Sequence, residues 1–296
     1  MKERTEYNEV MVKLTPDDIR FFRDEGYVVK RKVMDENLMA QARERMWDKP
    51  PPGIDRNDPN TWRGPIQAPE DRKKLPRLPE TDYKFDGWAL PNPPSHNDEY
   101  STVDGTSWKY RTIGTENFLV RLVLTDTSIW GMAEQLLGKG SLGVPTRTRG
   151  IYCRFPQRDI PVQPLKPHTD GHEFHLGVLG FIDDVPANGG GFTIWPKSHH
   201  AFYYQHLTQY GGDKADTYDE HYDLLKDQTA TECCGDAGDI VFFHHRLAHA
   251  GNPPNYSLEI RKAIIGDLVK KDLKDKLDEP PCENMWRDWP GIPTDG

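Results

Sequence analysis

From residue 148 onward the chain breaks into short β-rich runs bounded by glycine, proline or asparagine: Gly150 to Phe155, Leu176 to Ile182, Gly191 to Trp195, Asp239 to Phe243 and Arg261 to Leu268. Strands this short at this spacing predict a mainly β chain that closes into a sandwich or barrel. The first half reads differently. Thr15 caps a helix that has Pro16 at its first position, Asp17 and Asp18 in its first turn and Gly26 at its end. A short strand, Tyr27 to Lys30, follows; Asp35 then caps a second helix running to about Trp47, and a third fits Asp126 to Leu137 before Gly138. Helices flanking a β core are therefore expected. Residues 50–94 carry 11 of the 25 prolines, which forbids regular structure and predicts a long surface excursion. Its Trp62, Tyr83, Phe85 and Trp88 are costly to leave in water, so an ordered flap is expected there.

Composition excludes several classes of function. The net charge of −9, without a long basic run, argues against non-specific nucleic-acid binding. No segment approaches the roughly 18 apolar residues of a membrane span; the best run, Phe118 to Leu124, is broken by Arg121. The charged N-terminus lacks the apolar stretch of a signal peptide, and the four cysteines (153, 233, 234 and 282) show no Cys-x-x-Cys spacing, so free thiols in a reducing, cytoplasmic setting are expected.

Ten of the 11 histidines fall between residues 168 and 249. His168-Thr169-Asp170 sets an imidazole and a carboxylate two residues apart, on one face of an extended segment, where both reach one ion. Two histidines and a carboxylate with open positions opposite suit non-haem Fe(II). The second histidine is sought in Gly238 to Asn252, where an apolar strand leads into His244, His245 and His249; His249, before a Gly-Asn-Pro-Pro turn, is the preferred third ligand and His244 the runner-up. Arg261 opens an apolar strand and needs an anionic partner, which makes it a candidate anchor for the far carboxylate of a dicarboxylic co-substrate. By alternation Tyr152 and Arg154 share one strand face, and Thr193 and Trp195 another. Arg147 and Arg149 meet either an anionic substrate or solvent, and Trp62, Trp88 and Trp108 either line a pocket or form the insert's own small core.

These segments, in this order, resemble the phytanoyl-CoA dioxygenase family of Fe(II)- and 2-oxoglutarate-dependent oxygenases. The opening Leu14 to Val29 is similar to that family's N-terminal helix and strand. Asn188 to His199 is similar to its Asn-Gly…Pro-Gly-Ser-His segment, with Lys197 in place of the glycine, and Gly238 to His249 is similar to its distal-histidine strand. The resemblance covers roughly residues 14–48 and 124–268. It implies a double-stranded β-helix (a jelly-roll, cupin-like barrel) with helices packed outside. It does not cover the Pro-rich insert or the tail after about residue 270. The chain is read as one oxygenase domain over 1–296, divided into N-terminal helices and strand (1–48), a Pro-rich insert whose Trp and Pro content makes it a possible lid (49–112), helix and β-helix core (113–268) and a C-terminal extension (269–296).

By the same resemblance His168, Asp170 and His249 would hold Fe(II) and Arg261 would hold 2-oxoglutarate; Tyr152 and Thr193, from the strand alternation above, are candidates to complete the co-substrate site. His172, His175, Trp195, Trp88 and Arg154 are candidate contacts to a small-molecule substrate, whose C–H bond would be hydroxylated or desaturated with O2, leaving succinate and CO2. Related halogenases carry a small residue in place of the carboxylate ligand; Asp170 therefore favours hydroxylation or desaturation over chlorination. The main alternative is a non-oxidative, cupin-like zinc hydrolase or isomerase, for which Arg261 would have no use; a binding module with a decayed site is a second.

Overall fold

The computed structural model describes residues 11–62, 102–157 and 165–294, apart from 52, 105, 106, 166 and 252. Tyr83, Phe85, Trp88 and His96 lie outside the described residues.

Helix α1 (Pro16–Glu25) has the reciprocal cap its sequence predicts: Asp18 N donates to Thr15 Oγ1, and Thr15 N donates to the Asp18 carboxylate. Gly26 ends it in the left-handed region at φ 83°, where a Cβ would stand 2.5 Å from His199 Nδ1. Strand β1 (Tyr27–Lys30) and helix α2 (Glu36–Arg45), capped by Asp35, follow in the expected order. Strands β2 (Thr102–Asp104) and β3 (Ser107–Tyr110) form a hairpin. Helix α3 (Asn117–Val123) is the apolar run broken by Arg121: Leu119, Val120, Leu122 and Val123 are buried while Arg121 faces solvent. Helix α4 (Thr127–Leu137) is capped by Asp126.

The β core comprises β4 (Gly150–Arg154), β5 (Leu176–Phe181), β6 (Phe192–Ile194), β7 (Thr231–Cys233), β8 (Ile240–His244), β9 (His249–Ala250) and β10 (Arg261–Leu268), with α5 (Ser198–Tyr203) and α6 (Tyr218–Leu225) between β6 and β7. Two antiparallel sheets face each other, of order β1-β8-β5-β10-β4-β3-β2 and β7-β6-β9. This is the mainly β double-stranded β-helix with flanking helices.

Alternation along the large sheet separates two cores. Leu179, Phe181, Val241, Phe243, Ala263 and Ile265 point inward and meet Phe192 and Ile194 of the small sheet, lining the lumen. Their neighbours Val178, Ile240, Phe242, Ile264 and Leu268 point outward onto the helical layer. The same outer layer takes Trp108 of β3, wholly buried beside Tyr110. The end of the Pro-rich insert therefore widens the sheet, and Trp108 belongs to the main core. Trp62 stacks on Trp47, with ring centroids 6.1 Å apart. A third cluster, Trp195, Phe202, Tyr218, Ala248 and Ala250, covers the outside of the small sheet. Among the described residues, no helix is long and apolar enough to cross a membrane.

Candidate metal centre

His168 and His249 lie side by side because their backbones exchange two hydrogen bonds, each 2.9 Å, which brings their ring centroids to 4.5 Å. His249 is held in β9 by pairing with Ile194 of β6, and its ring sits between Phe192 and Phe243 at centroid distances of 5.3 and 5.5 Å. Its Nδ1 lies 3.0 Å from Leu247 O. A carbonyl only accepts, so Nδ1 carries the proton and Nε2 keeps its lone pair for a ligand. Asp170 Oδ2 is 3.6 Å from that Nε2. One donor atom from each of His168, Asp170 and His249 falls within 4.8 Å of the others, the single such group of three among the described residues. The runner-up, His244, points the other way: it belongs to the outward face of β8 and stacks on Trp289 at 5.1 Å.

The carboxylate is strongly biased toward its charged form. Burial pushes the Asp170 carboxyl up, but the Arg149 guanidinium, and after it His249, hold it well below the usual carboxylate range. Arg149 Nη2 donates to Asp170 Oδ2 at 2.9 Å. The same guanidinium forks onto Asp267, Nε to Oδ2 at 2.9 Å and Nη2 to Oδ1 at 2.5 Å. Burial raises the Asp267 carboxyl, and Arg149 with His172 more than reverses this, to about 2. The expectation that Arg149 meets a substrate or solvent gives way to this buried double pairing. Asp267 went unremarked in the sequence, although it recurs in register with Ala263 and Ile265 as the one acid on the inward face of β10.

Arg261 opens β10 on that inward face and is 6% exposed. Its Nε donates to Gly190 O at 2.8 Å and its Nη1 to Tyr152 O at 3.1 Å. Among the described residues no carboxylate stands within ion-pair distance of it. Burial lowers its pKa to about 10, only partly opposed by Cys153 and Glu232. Tyr152, paired with Ala263, turns to the lumen. Lys109 Nζ lies over its ring at 5.3 Å and Arg111 Cζ at 5.9 Å.

The remaining sequence candidates separate by position. Arg154, opposite Arg261 in the β4–β10 register, spends its Nε and Nη2 on Pro253 O and its Nη1 on Ser107 Oγ. His172 lies 3.3 Å from Asp267 Oδ2 and stacks on Phe174, close to the donor group. Three candidates face elsewhere. Thr193 pairs with Ala250, and Trp195 is buried with Ala248 and Ala250, on the outer side of the small sheet. His175 is fully buried against Tyr210 and Trp289. Contacts from Thr193 to a co-substrate, or from Trp195 and His175 to a substrate, do not fit those positions. Trp88 lies outside the described residues.

The donor set fits Fe(II): two imidazoles with the free ring nitrogen of His249 available, a charged carboxylate, and on the inward face of β10 a buried guanidinium with, among the described residues, no acid within ion-pair distance. Residues 151–263, which contain all three donors and Arg261, match the model of the phytanoyl-CoA dioxygenase (PhyH) family. The chain is PhyH-like. As a PhyH-like protein with this donor set, it is a non-haem iron, 2-oxoglutarate-dependent oxygenase. No curated protein matches it. Its fold is similar to that of the non-haem alpha-ketoglutarate-dependent carbocyclase SnoK from nogalamycin biosynthesis, at 15% identity and TM-score 0.52, covering 92% of this chain and 95% of that one. It is also similar to EctD from S. alaskensis with bound Fe, at 14% identity and TM-score 0.51, covering 92% and 81%. The family's glycine, replaced here by Lys197, falls where the backbone is left-handed: Lys197 has φ 68°.

Proposed function

We propose that this PhyH-like oxygenase oxidises a C–H bond of a small organic molecule, by hydroxylation or desaturation, with succinate and CO2 as co-products. In this reading His168, Asp170 and His249 hold Fe(II), and Arg261 holds the far carboxylate of 2-oxoglutarate. When bound, the ferrous ion and 2-oxoglutarate supply the oxidising chemistry, activating O2 as the co-substrate loses CO2. The observation that carries the reading is the convergence of three donor atoms within 4.8 Å in a lumen that also buries a guanidinium with, among the described residues, no acid within ion-pair distance.

The chain's own residues do the rest. Leu247 O fixes the proton of His249 on Nδ1, so Nε2 stays available. Gly190 O and Tyr152 O fix the guanidinium plane of Arg261 before any ligand arrives, which reduces the ordering cost of binding a carboxylate. Phe192 and Phe243 beside His249 keep water from that side of the ring. As a carboxylate ligand, Asp170 would fill the place that a halide takes in related halogenases, which favours hydroxylation or desaturation over halogenation.

Succinate release with Fe(II), O2 and 2-oxoglutarate, screened against amino acids, acyl compounds and polycyclic natural-product intermediates, tests the proposal. Substrate-stimulated succinate is the expected result. A turnover that needs neither O2 nor 2-oxoglutarate, and runs with Zn(II), would instead indicate the hydrolase or isomerase.

A further inference from the structure

We propose that Arg149 is a positioning residue for the metal centre, a clamp that fixes the orientation of the Asp170 carboxylate, with Asp267 as the counter-charge that makes the clamp compatible with a cation. This rests on the reading of Asp170 as a ligand and goes beyond it.

Six observations converge. Arg149 is held by backbone before its side chain does anything: its N donates to Ile265 O at 2.7 Å. The next residue, Gly150, turns the chain at φ 91°, where a Cβ would stand 2.1 Å from Tyr110 O. The guanidinium then reaches two acids at once, Asp170 at 2.9 Å and Asp267 through two bonds. Its flat face lies over the Phe174 ring, 5.2 Å from the centroid. Finally, Asp267 is steadied from the other side by His172, which stacks on the same Phe174 ring at 5.0 Å. Arg149, Asp170 and Asp267 are all close to fully buried, with side chains 9%, 12% and 9% exposed.

Charge explains why both partners are needed. A lone guanidinium bonded to a metal-binding carboxylate would neutralise it and repel a divalent ion. With Asp267 forked onto the same guanidinium, the three groups sum to −1, so the carboxylate keeps its orientation and the site keeps its attraction for a cation. A planar fork can serve two carboxylates in fixed directions; an ammonium cannot.

The test uses the metal-free full-length chain, titrated with Co(II) and followed by calorimetry and by the visible absorption of the bound ion, which reports ligand number and geometry. Asp170→Ala is the control for the site itself. Asp267→Asn leaves the guanidinium uncompensated, while Arg149→Gln/Asp267→Asn removes the clamp with the summed charge unchanged. The expected result is a Co(II) affinity weaker by about 10–100-fold in both, the range typical of lost outer partners of metal ligands, with a shifted visible spectrum. Arg149→Lys keeps the charge and provides the reading if the double variant fails to fold; it too should weaken binding and shift the spectrum. If Asp170→Ala loses Co(II) while the Arg149 and Asp267 variants bind with wild-type affinity and spectrum, the clamp is overturned and the site reading stands. If Asp170→Ala binds Co(II) like the wild type, both fall.

Discussion

Arg261 lies in the lumen with two backbone carbonyls for company and, among the described residues, no acid within ion-pair distance. Such a group is expensive to keep unless a ligand completes it. Arg261→Lys keeps a cation but loses the fork. A hydrogen bond to a charged group is worth about 1.5–3 kcal/mol, so the apparent KM for 2-oxoglutarate should rise roughly 10-fold or more while Co(II) affinity stays as in the wild type. An unchanged KM would place the anchor elsewhere. Lys197 gives a second prediction at this scale. A non-glycine residue in the left-handed region costs about 1–2 kcal/mol, partly offset by the greater chain entropy of glycine when unfolded. Lys197→Gly should therefore raise Tm slightly even though it gives up the largely exposed Lys197 Nζ–Glu25 Oε1 ion pair at 3.4 Å, and a clear fall in Tm would mean that this pair outweighs the backbone strain. The three converging donors and the buried Arg261 were legible because their chemistry is spelled by spacing: His-x-Asp, a distal histidine and a following arginine. Arg149 was not, because its role depends on Asp267, 118 positions away.

At the scale of elements, the helices were the easiest to read. Thr15, Asp35 and Asp126 each accept from the first-turn backbone as their side chains predict. The strands were found, but their facing was not. All five residues of Ile240–His244 are buried, so apolar alternation, the usual guide to which side faces the core, is erased. That is why His244 competed with His249, and why Thr193 and Trp195 were read as possible lumen groups. Strands β2 and β3 were hidden because they follow a proline-rich stretch and join only the edge of the large sheet. The β5–β8 pairing leaves no room for added bulk. Gly177 faces Phe243, and a Cβ there would stand 2.1 Å from the ring. Gly177→Val should destabilise by about 1–3 kcal/mol, whereas Gly171→Ala, with open space around its Cβ, should leave Tm within a degree or two. Equal melting of the two variants would contradict this packing.

At the scale of the whole molecule, the C-terminal segment closes the fold over a belt of buried histidines. Trp286 and Trp289 pack on Phe22 of α1 and on His244, with His199 against Trp286 and His175 against Trp289. The ring atoms His175 Nε2, His199 Nδ1, His244 Nε2 and His245 Nδ1 are buried with no hydrogen-bond partner among the described residues. Burial drives all four pKa values down, His175 and His199 to about 3 and His244 and His245 well below their ordinary value. These histidines are neutral when folded and take up protons near pH 6.5 when unfolded, so the unfolded chain binds more protons and stability falls as pH drops below about 6.5. Each group contributes up to about 1.4 kcal/mol per pH unit, so Tm should fall steeply between pH 6.5 and 4.5, above the range where Asp170 and Asp267 protonate. A flat Tm over that interval would contradict the buried-neutral assignment. The same closed fold brings the donor atoms of His168, Asp170 and His249 together and buries Arg261 on the inward face of β10. The most direct test of that meeting is anomalous diffraction from crystals grown with Mn(II) and 2-oxoglutarate. The account predicts one strong peak at bonding distance, about 2–2.3 Å, from the two imidazoles and the Asp170 carboxylate, with the far carboxylate of 2-oxoglutarate against Arg261. A peak elsewhere, or none at the three donors, would contradict it.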